Sequence, residues 1–397
     1  MKMGELHLLV AEDHEFQRKT LVRMLRTLGV TSIREAGDGK AALDIFAAVD
    51  PPIDIIISDL EMPGMDGMEF MRHLGQADRP ASVILSSALD EALISSVELM
   101  TRAYGITVLG ALSKPVTLDR LRGLVETFAP PRSKVPGQAA PQIPIDEMRR
   151  GLAAGEFEPF FQPKVDLADG TVVGMEALAR WRHPRMGLVA PSAFIPLMES
   201  AGLIDDLTWR ILQKSAARCR EWVERGLKWT VSVNLSTNLL KEPGLADKIT
   251  ALVAGYGLDP KYMVLEITES AAMTDVGTSL ENLTRLRMRR FALSIDDYGT
   301  GYSSMQQLAR IPFSELKIDQ SFVHNATEKA SGIVLLSSSL EMARKLGLKA
   351  VAEGVETQAH WNLLQNLGCD IAQGYFIAKP MEARALQDWA AQWTPPV

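Results

Sequence analysis

Residues 129–146 read APPRSKVPGQAAPQIPID. The run is rich in proline and almost free of large apolar residues, a composition that keeps a chain extended and semi-rigid. Structureless loops of this length are uncommon inside a compact domain, and both flanks look self-contained. The stretch therefore reads as a linker between two domains, residues 5–128 and 147–397.

Upstream of the linker, strand-like and helix-like patterns alternate. LHLLVAED (6–13), SIREA (32–36), IDIIISD (53–59), SVILSS (82–87) and ITVLGALSKP (106–115) are the strand candidates. Between and after them, FQRKTLVRMLRTLG, AALDIFAAV, MEFMRHLG, EALISSVELMTRAYG and LDRLRGLVETF carry apolar residues at helical spacing. Five strands alternating with five helices predict an α/β domain with a doubly wound, five-stranded parallel sheet of flavodoxin-like type. Ligands of such sheets sit at the carboxyl ends of the strands.

Downstream, about 250 residues match the typical length of a (β/α)8 barrel. The strand candidates are FEPFFQPKVDL, TVVGMEALARW, TVSVNLS, MVLEITE, FALSIDD, ELKID, KAVAEGV and IAQGYF, most of them separated by helical stretches such as 206–224 and 276–290.

Composition bounds the function. Apolar content is 47%, charged content 23% and net charge −7, with a pI near 5.5. An acidic balance argues against a DNA-binding surface, which needs clustered Lys and Arg. It is compatible with a phosphodiester substrate if metal ions supply the positive charge. The two cysteines, Cys219 and Cys369, form no CxxC or Cys/His cluster, which points away from zinc and from a disulfide framework and fits reduced thiols in the cytoplasm. No signal peptide and no apolar run long enough to span a membrane are apparent.

Two constellations carry chemistry. In the first domain, Glu12 and Asp13 follow the first strand, Asp59 ends the third, Ser86 and Ser87 end the fourth and Lys114 ends the fifth. Three carboxylates converging at one sheet edge suit Mg2+. A carboxylate flanked by metal and lysine can attack a phosphoryl group. Asp59 is the phosphoacceptor candidate, with the hydroxyl of Ser86 or Ser87 available to the phosphoryl oxygen.

In the second domain, acids recur at strand ends: Glu176, Glu266, Glu269, Asp296, Asp297, Asp319 and Glu353, with Asn234 and Lys317 among them. Any one of these alone reads as a surface or capping group, and Glu356 as a helix-start residue; their shared position at the mouth of a barrel gives them weight. Carboxylates held together oppose one another's ionisation, so cations make the cluster sensible. Oxygen ligands without Cys or His favour Mg2+ or Mn2+. The Asp296–Asp297 pair suits a two-metal centre. Lys317 can orient water or stabilise charge, Glu353 can accept a proton, and Arg180 can bind a phosphate oxygen.

The first constellation resembles the response-regulator receiver family, through Glu12-Asp13, DLEMPGMDG (59–67), the serine after SVIL and Lys114-Pro115. The resemblance covers residues 5–128 and implies phosphorylation of Asp59 by a histidine kinase. Ala111 stands where that family often carries an aromatic switch residue, three positions before the lysine, so the usual coupling to the output surface is not implied.

The second resembles the EAL-domain family of cyclic-di-GMP phosphodiesterases, across nearly all of residues 147–390. The motifs are EALAR (176–180), FQPKV around Gln162, VNLS with Asn234, EITES with Glu266 and Glu269, DDYGTGYSS (296–304), LKID with Lys317 and Asp319, AEGVE with Glu353, and QGY with Gln373.

That resemblance implies a modified barrel with one strand reversed. One metal would be held by Glu176, Asn234, Glu266 and Asp296, and a second by Asp296 and Asp297. It implies Glu353 as general base, Lys317 on the attacking water, and Gln162, Arg180, Asp319 and Gln373 on substrate. Glu269 anchors the loop 297–304, which in the family links catalysis to dimerisation, so a dimer or larger homo-oligomer is expected. The product implied is linear pGpG. A non-catalytic cyclic-di-GMP receptor and a kinase-competing interaction protein are the alternatives. A receptor is expected to have lost Glu353, Lys317 or one of the Asp296–Asp297 pair, and all are present. No GGDEF signature accompanies them.

Overall fold

The structure is a computed structural model that describes residues 3–77, 79, 82–87, 91–128, 143–268, 276–299 and 311–396. It divides into two compact units, Met1–Pro141 and Gln142–Val397.

In the first unit, β1 (His7–Ala11), β2 (Ser32–Ala36), β3 (Ile55–Asp59), β4 (Ser82–Ser87) and β5 (Thr107–Ser113) alternate with α1 (Glu15–Thr27), α2 (Gly39–Ala48), α3 (Gly67–Gly75), α4 (Glu91–Ala103) and α5 (Leu118–Glu126). The sheet is parallel in the order β2-β1-β3-β4-β5. The continuous apolar runs of its central strands resolve into two faces. Leu9, Ala11, Ile56, Val83 and Leu85 pack with Phe46 of α2, Phe70 and Met71 of α3 and Val97 of α4. Leu8, Val10, Ile55, Ile57 and Ile84 pack with Leu21 and Leu25 of α1 and Leu121 and Val125 of α5. Burial on both faces is why these strands show no polar alternation.

The loop after β3 is fixed by two features of its motif. Asp66 caps α3 by accepting from the Glu69 N–H at 2.8 Å. Gly67 sits so tightly against β3 that a Cβ would lie 2.4 Å from the Asp59 carbonyl oxygen.

In the second unit, α6 (Ile145–Ala154) leads into a barrel made of β6 (Phe157–Asp166), β7 (Val172–His183), β9 (Thr230–Asn234), β10 (Met263–Thr268), β11 (Ala292–Tyr298), β12 (Glu315–Ile318), β13 (Lys349–Ala352) and β14 (Ile371–Ala372). The short β8 (Gly187–Val189) extends β7 as a hairpin. Pairing of β6 with both β7 and β14 closes the sheet. Both of those pairings are antiparallel, so β6 is the reversed strand, and the other barrel pairs are parallel.

Helices intervene as α7 (Ile195–Ser200), α8 (Ile204–Glu224), α9 (Thr237–Leu240), α10 (Leu245–Gly255), α11 (Val276–Met288), α12 (Gln320–Glu328), α13 (Ala330–Lys345), α14 (Gln358–Asn366) and α15 (Ala383–Gln392). The stretch read as linker ends differently from its composition: Ile143 is buried in the core of this unit, and Ile145 opens α6. Residues 129–142 lie outside the described ones. No helix among the described residues is long and apolar enough to cross a membrane.

The barrel strands send their apolar side chains outward. Met175, Ala177, Val231, Val233, Leu265, Ile267, Leu293, Ile295, Leu316 and Ile318 belong to the core shared with the helices. Buried polar residues take the alternating positions: Glu176, Ser232, Glu266, Ser294 and Lys317, together with Lys164 of β6. Barrel interiors are ordinarily filled by branched aliphatic side chains. Here the filling is ionic.

Candidate active site

At the carboxyl end of the barrel, four strands deliver their acids to one buried lysine carried by a fifth. The Lys317 ammonium of β12 lies 2.7 Å from Glu353 Oε1, 2.8 Å from Asp296 Oδ1, 3.1 Å from Glu266 Oε2 and 3.4 Å from Glu176 Oε2. Burial alone would lower its pKa, but the carboxylates of Glu176, Glu266, Glu353 and Asp296 hold it well above the ordinary lysine range. Glu266 is pushed well up, by burial first and then by Glu176. Glu176 stays below its usual range despite burial, because Lys317 and a hydrogen bond from Gln373 favour its charged form. Burial pushes Glu353 up to about 7; Lys317 pulls it down, and Glu176 and Asp296 add to the rise.

The amide groups complete the floor. Gln373 Nε2 donates to Glu176 Oε2 at 2.6 Å and to Gln162 Oε1 at 3.1 Å. Gln162 Nε2 donates to the Ala378 carbonyl at 3.1 Å. Asn234 Nδ2 donates to Glu176 Oε1 at 3.3 Å. Asp297 follows Asp296 in the left-handed region, with φ 55°, and its N–H donates back to Asp296 Oδ1. Asp319 caps α12 through the Ser321 N–H at 2.9 Å.

A cleft of about 450 Å3 opens over these groups, lined also by Glu356 and Tyr375. A second cleft of about 540 Å3, more apolar, shares Leu178, Asn234, Asp296 and Asp297 with it. Arg180 stands aside from the cluster: its guanidinium donates to the Ala179 carbonyl at 2.8 Å and lies over the Phe160 ring. Glu356 lines the cleft, one residue ahead of the Thr357 cap of α14, so it is more than a helix-start residue. Glu269 and residues 300–310, which hold the anchor and most of the DDYGTGYSS loop, lie outside the described residues.

The donor set fits divalent cations. Asp296, Asp297 and Glu353 offer oxygens within 4.8 Å of one another. The buried Glu266 Oε1 accepts no hydrogen bond among the described residues, which leaves a carboxylate oxygen open to a cation. Among the described residues, six carboxylates (Glu176, Glu266, Asp296, Asp297, Glu315 and Glu353) surround two ammonium groups, Lys164 and Lys317.

Lys164, with its partners Ser232 and Glu315, was not singled out by the sequence reading. A lysine in a strand reads as solvent-facing. The one sign was its place two residues after Gln162, on the same strand face.

The sheet edge of the first unit gathers its own acids. Glu12, Asp13 and Asp59 present oxygens within 4.8 Å of one another. Lys114 Nζ lies 2.5 Å from Asp59 Oδ2 and 2.9 Å from Glu12 Oε2. Burial opposes the Lys114 charge, but hydrogen bonds to Asp59 and Glu12 hold its pKa above the usual value. Burial lifts Glu12 above its usual range, Lys114 pulls it back, and Asp59 lifts it further. Asp59 pairs in register with Ser86, whose buried hydroxyl has no hydrogen-bond partner among the described residues. The Ser87 carbonyl accepts the Lys114 N–H.

This fold and these two sites define the class. The chain belongs to the EAL domain family, whose model matches residues 145–380, and carries a response regulator receiver domain at residues 8–126. Among relatives, the chain is 38% identical over 391 residues to the cyclic di-GMP phosphodiesterase RocR of Pseudomonas aeruginosa, covering 98% of this chain and 100% of RocR. It is 39% identical over 243 residues to the bifunctional diguanylate cyclase/cyclic di-GMP phosphodiesterase MucR of the same organism, covering 61% of this chain and 36% of MucR. The solved PaMucR phosphodiesterase in complex with c-di-GMP, 39% identical, superposes with a TM-score of 0.58 over 61% of this chain and 98% of that one.

Proposed function

We propose that the barrel of this chain hydrolyses cyclic di-GMP to linear pGpG, and that phosphorylation of Asp59 controls the reaction. The observation that carries the reading is the buried Lys317 ammonium within 3.4 Å of Glu176, Glu266, Asp296 and Glu353. RocR, similar over its whole length, supports the substrate and the reaction class.

Two ions of Mg2+ or Mn2+ suit the site, one held by Glu176, Asn234, Glu266 and Asp296 and the other by Asp296 and Asp297. When bound, they supply the positive charge that polarises the phosphodiester and acidifies water. The chain's own groups do the rest. Glu353, with a pKa near neutrality and its carboxylate at the cleft wall, takes the proton of the attacking water. Lys317 orients that water and stabilises charge on the phosphoryl oxygens. Water adds to phosphorus, one ring P–O bond breaks, and the released oxygen takes a proton. Gln162, Arg180, Asp319 and Gln373 contact the nucleotide, which extends over both clefts.

In the receiver, Glu12, Asp13 and Asp59 would hold Mg2+. Asp59 takes a phosphoryl group from a histidine kinase, and Lys114 and a β4 hydroxyl, Ser86 or Ser87, bind its oxygens. The chain works in the cytoplasm as a homo-oligomer, away from DNA and membrane.

The test is Glu353→Ala. Loss of turnover with cyclic di-GMP still bound is expected; retention of more than a few per cent of the activity would remove Glu353 as the base.

A further inference from the structure

We propose that Lys164 is a positioning residue of the barrel site, holding the Glu266 carboxylate from beneath for metal ligation. This rests on the metal-dependent reading above. Lys164 lies two residues after Gln162 on β6, so the two side chains share a face and Lys164 enters the barrel one layer lower. Its ammonium is 2.5 Å from Ser232 Oγ, 3.4 Å from Glu315 Oε2 and 3.7 Å from Glu266 Oε1. Ser232 is two residues before Asn234 on β9, and Glu315 two residues before Lys317 on β12. Each partner thus stands directly below a residue of the site.

A fully buried lysine is expensive, and an aliphatic layer is the ordinary filling of a barrel. What the ammonium does for Glu266 accounts for its presence. The Glu266 carboxylate, fully buried, lies between two cations: Lys317 at Oε2, 3.1 Å, and Lys164 at Oε1, 3.7 Å. The upper contact is a hydrogen bond. The lower one is too long for a hydrogen bond and acts as a charge alone. It stops the carboxylate from turning both oxygens to Lys317, yet leaves the Oε1 lone pairs open, and that oxygen has no hydrogen-bond donor among the described residues.

Three variants of the full chain separate this role from mere neutralisation of Glu315: Lys164→Met, Glu315→Gln and the double variant. Mn2+ binding to the protein without nucleotide is read by titration calorimetry, alongside thermal melting and the KM for cyclic di-GMP at saturating Mn2+. The double variant leaves no unpaired Glu315 carboxylate in the lower layer, the burden that Lys164→Met alone would carry, and thermal melting checks that each variant is folded. At least tenfold weaker Mn2+ binding in the double variant is expected. Its KM should stay within twofold of the unaltered protein, and Glu315→Gln alone should bind Mn2+ normally. Mn2+ binding in the double variant within twofold of normal would overturn the proposal, because Lys164 would then serve only to neutralise Glu315. A loss of equal size in Glu315→Gln alone would also overturn it. Absence of Mn2+ binding by the unaltered protein would remove the metal-dependent reading itself, and this proposal with it.

Discussion

At the scale of single residues, the site works by setting similar groups in dissimilar surroundings. Glu176 and Glu266 are both buried beside Lys317, yet Glu176 also accepts from Gln373 and Asn234 and keeps its charge easily, while Glu266 is pushed well up. The two cysteines illustrate the opposite case, burial with no opposing cation. Cys219 and Cys369 are pushed up to about 12 by burial. Neither forms thiolate at neutral pH, so neither is expected to react. Titration of the native chain with a thiol reagent at pH 8 should show no fast-reacting thiol, and two after unfolding; a fast-reacting thiol in the native protein would contradict their burial.

Sequence made the upper layer of the site legible, because Glu176, Asp296, Lys317 and Glu353 stand in motifs at strand ends. The lower layer was hidden. Lys164, Ser232 and Glu315 have meaning only through pairs separated by 68 and 151 residues, a distance that periodicity does not reach.

At the scale of elements, close backbone approach explains Gly67, the last residue of the DLEMPGMDG run. A methyl group on Gly67 would meet the Asp59 carbonyl at 2.4 Å and the Leu60 Cα at 2.7 Å, both backbone atoms that cannot swing away. Gly67→Ala should therefore destabilise the first unit by ~1–3 kcal/mol, the usual cost of overpacking. It should also disturb Asp59. Thermal melting checks the first effect and labelling with acetyl phosphate the second; an unchanged melting point would show that α3 shifts without cost. Asp66→Ala, which removes the α3 cap, should cost ~1 kcal/mol in the same assay.

The reversal of β6 entered the sequence reading only through the family resemblance. The local signal was present in the connection LADGT between the two strand patterns. Asp169 accepts the Thr171 N–H, and Gly170 adopts φ 71°. Such a tight Asp-Gly turn joins antiparallel strands, whereas parallel neighbours need a longer crossover. The start of α6 was less legible. Its N-cap is Pro144 and its first residue Ile145, so proline-rich composition runs into the folded unit without a break.

At the scale of the whole molecule, two units with separate cores each gather an acidic cluster of their own. A proline-rich connection acts as a spacer between the units, and control by the receiver is expected to run through assembly. Adding acetyl phosphate or beryllium fluoride should change turnover and oligomeric state together, and Asp59→Asn should abolish both responses. Unchanged turnover and assembly would rule out regulation through the receiver.

The most direct measurement is hydrolysis of cyclic di-GMP by the purified chain with Mg2+ or Mn2+, the product identified by chromatography. Formation of pGpG, lost on addition of EDTA and in Glu176→Ala, is the expected result. Tight binding of cyclic di-GMP without turnover in either metal would contradict it, and would make the barrel a receptor instead of an enzyme.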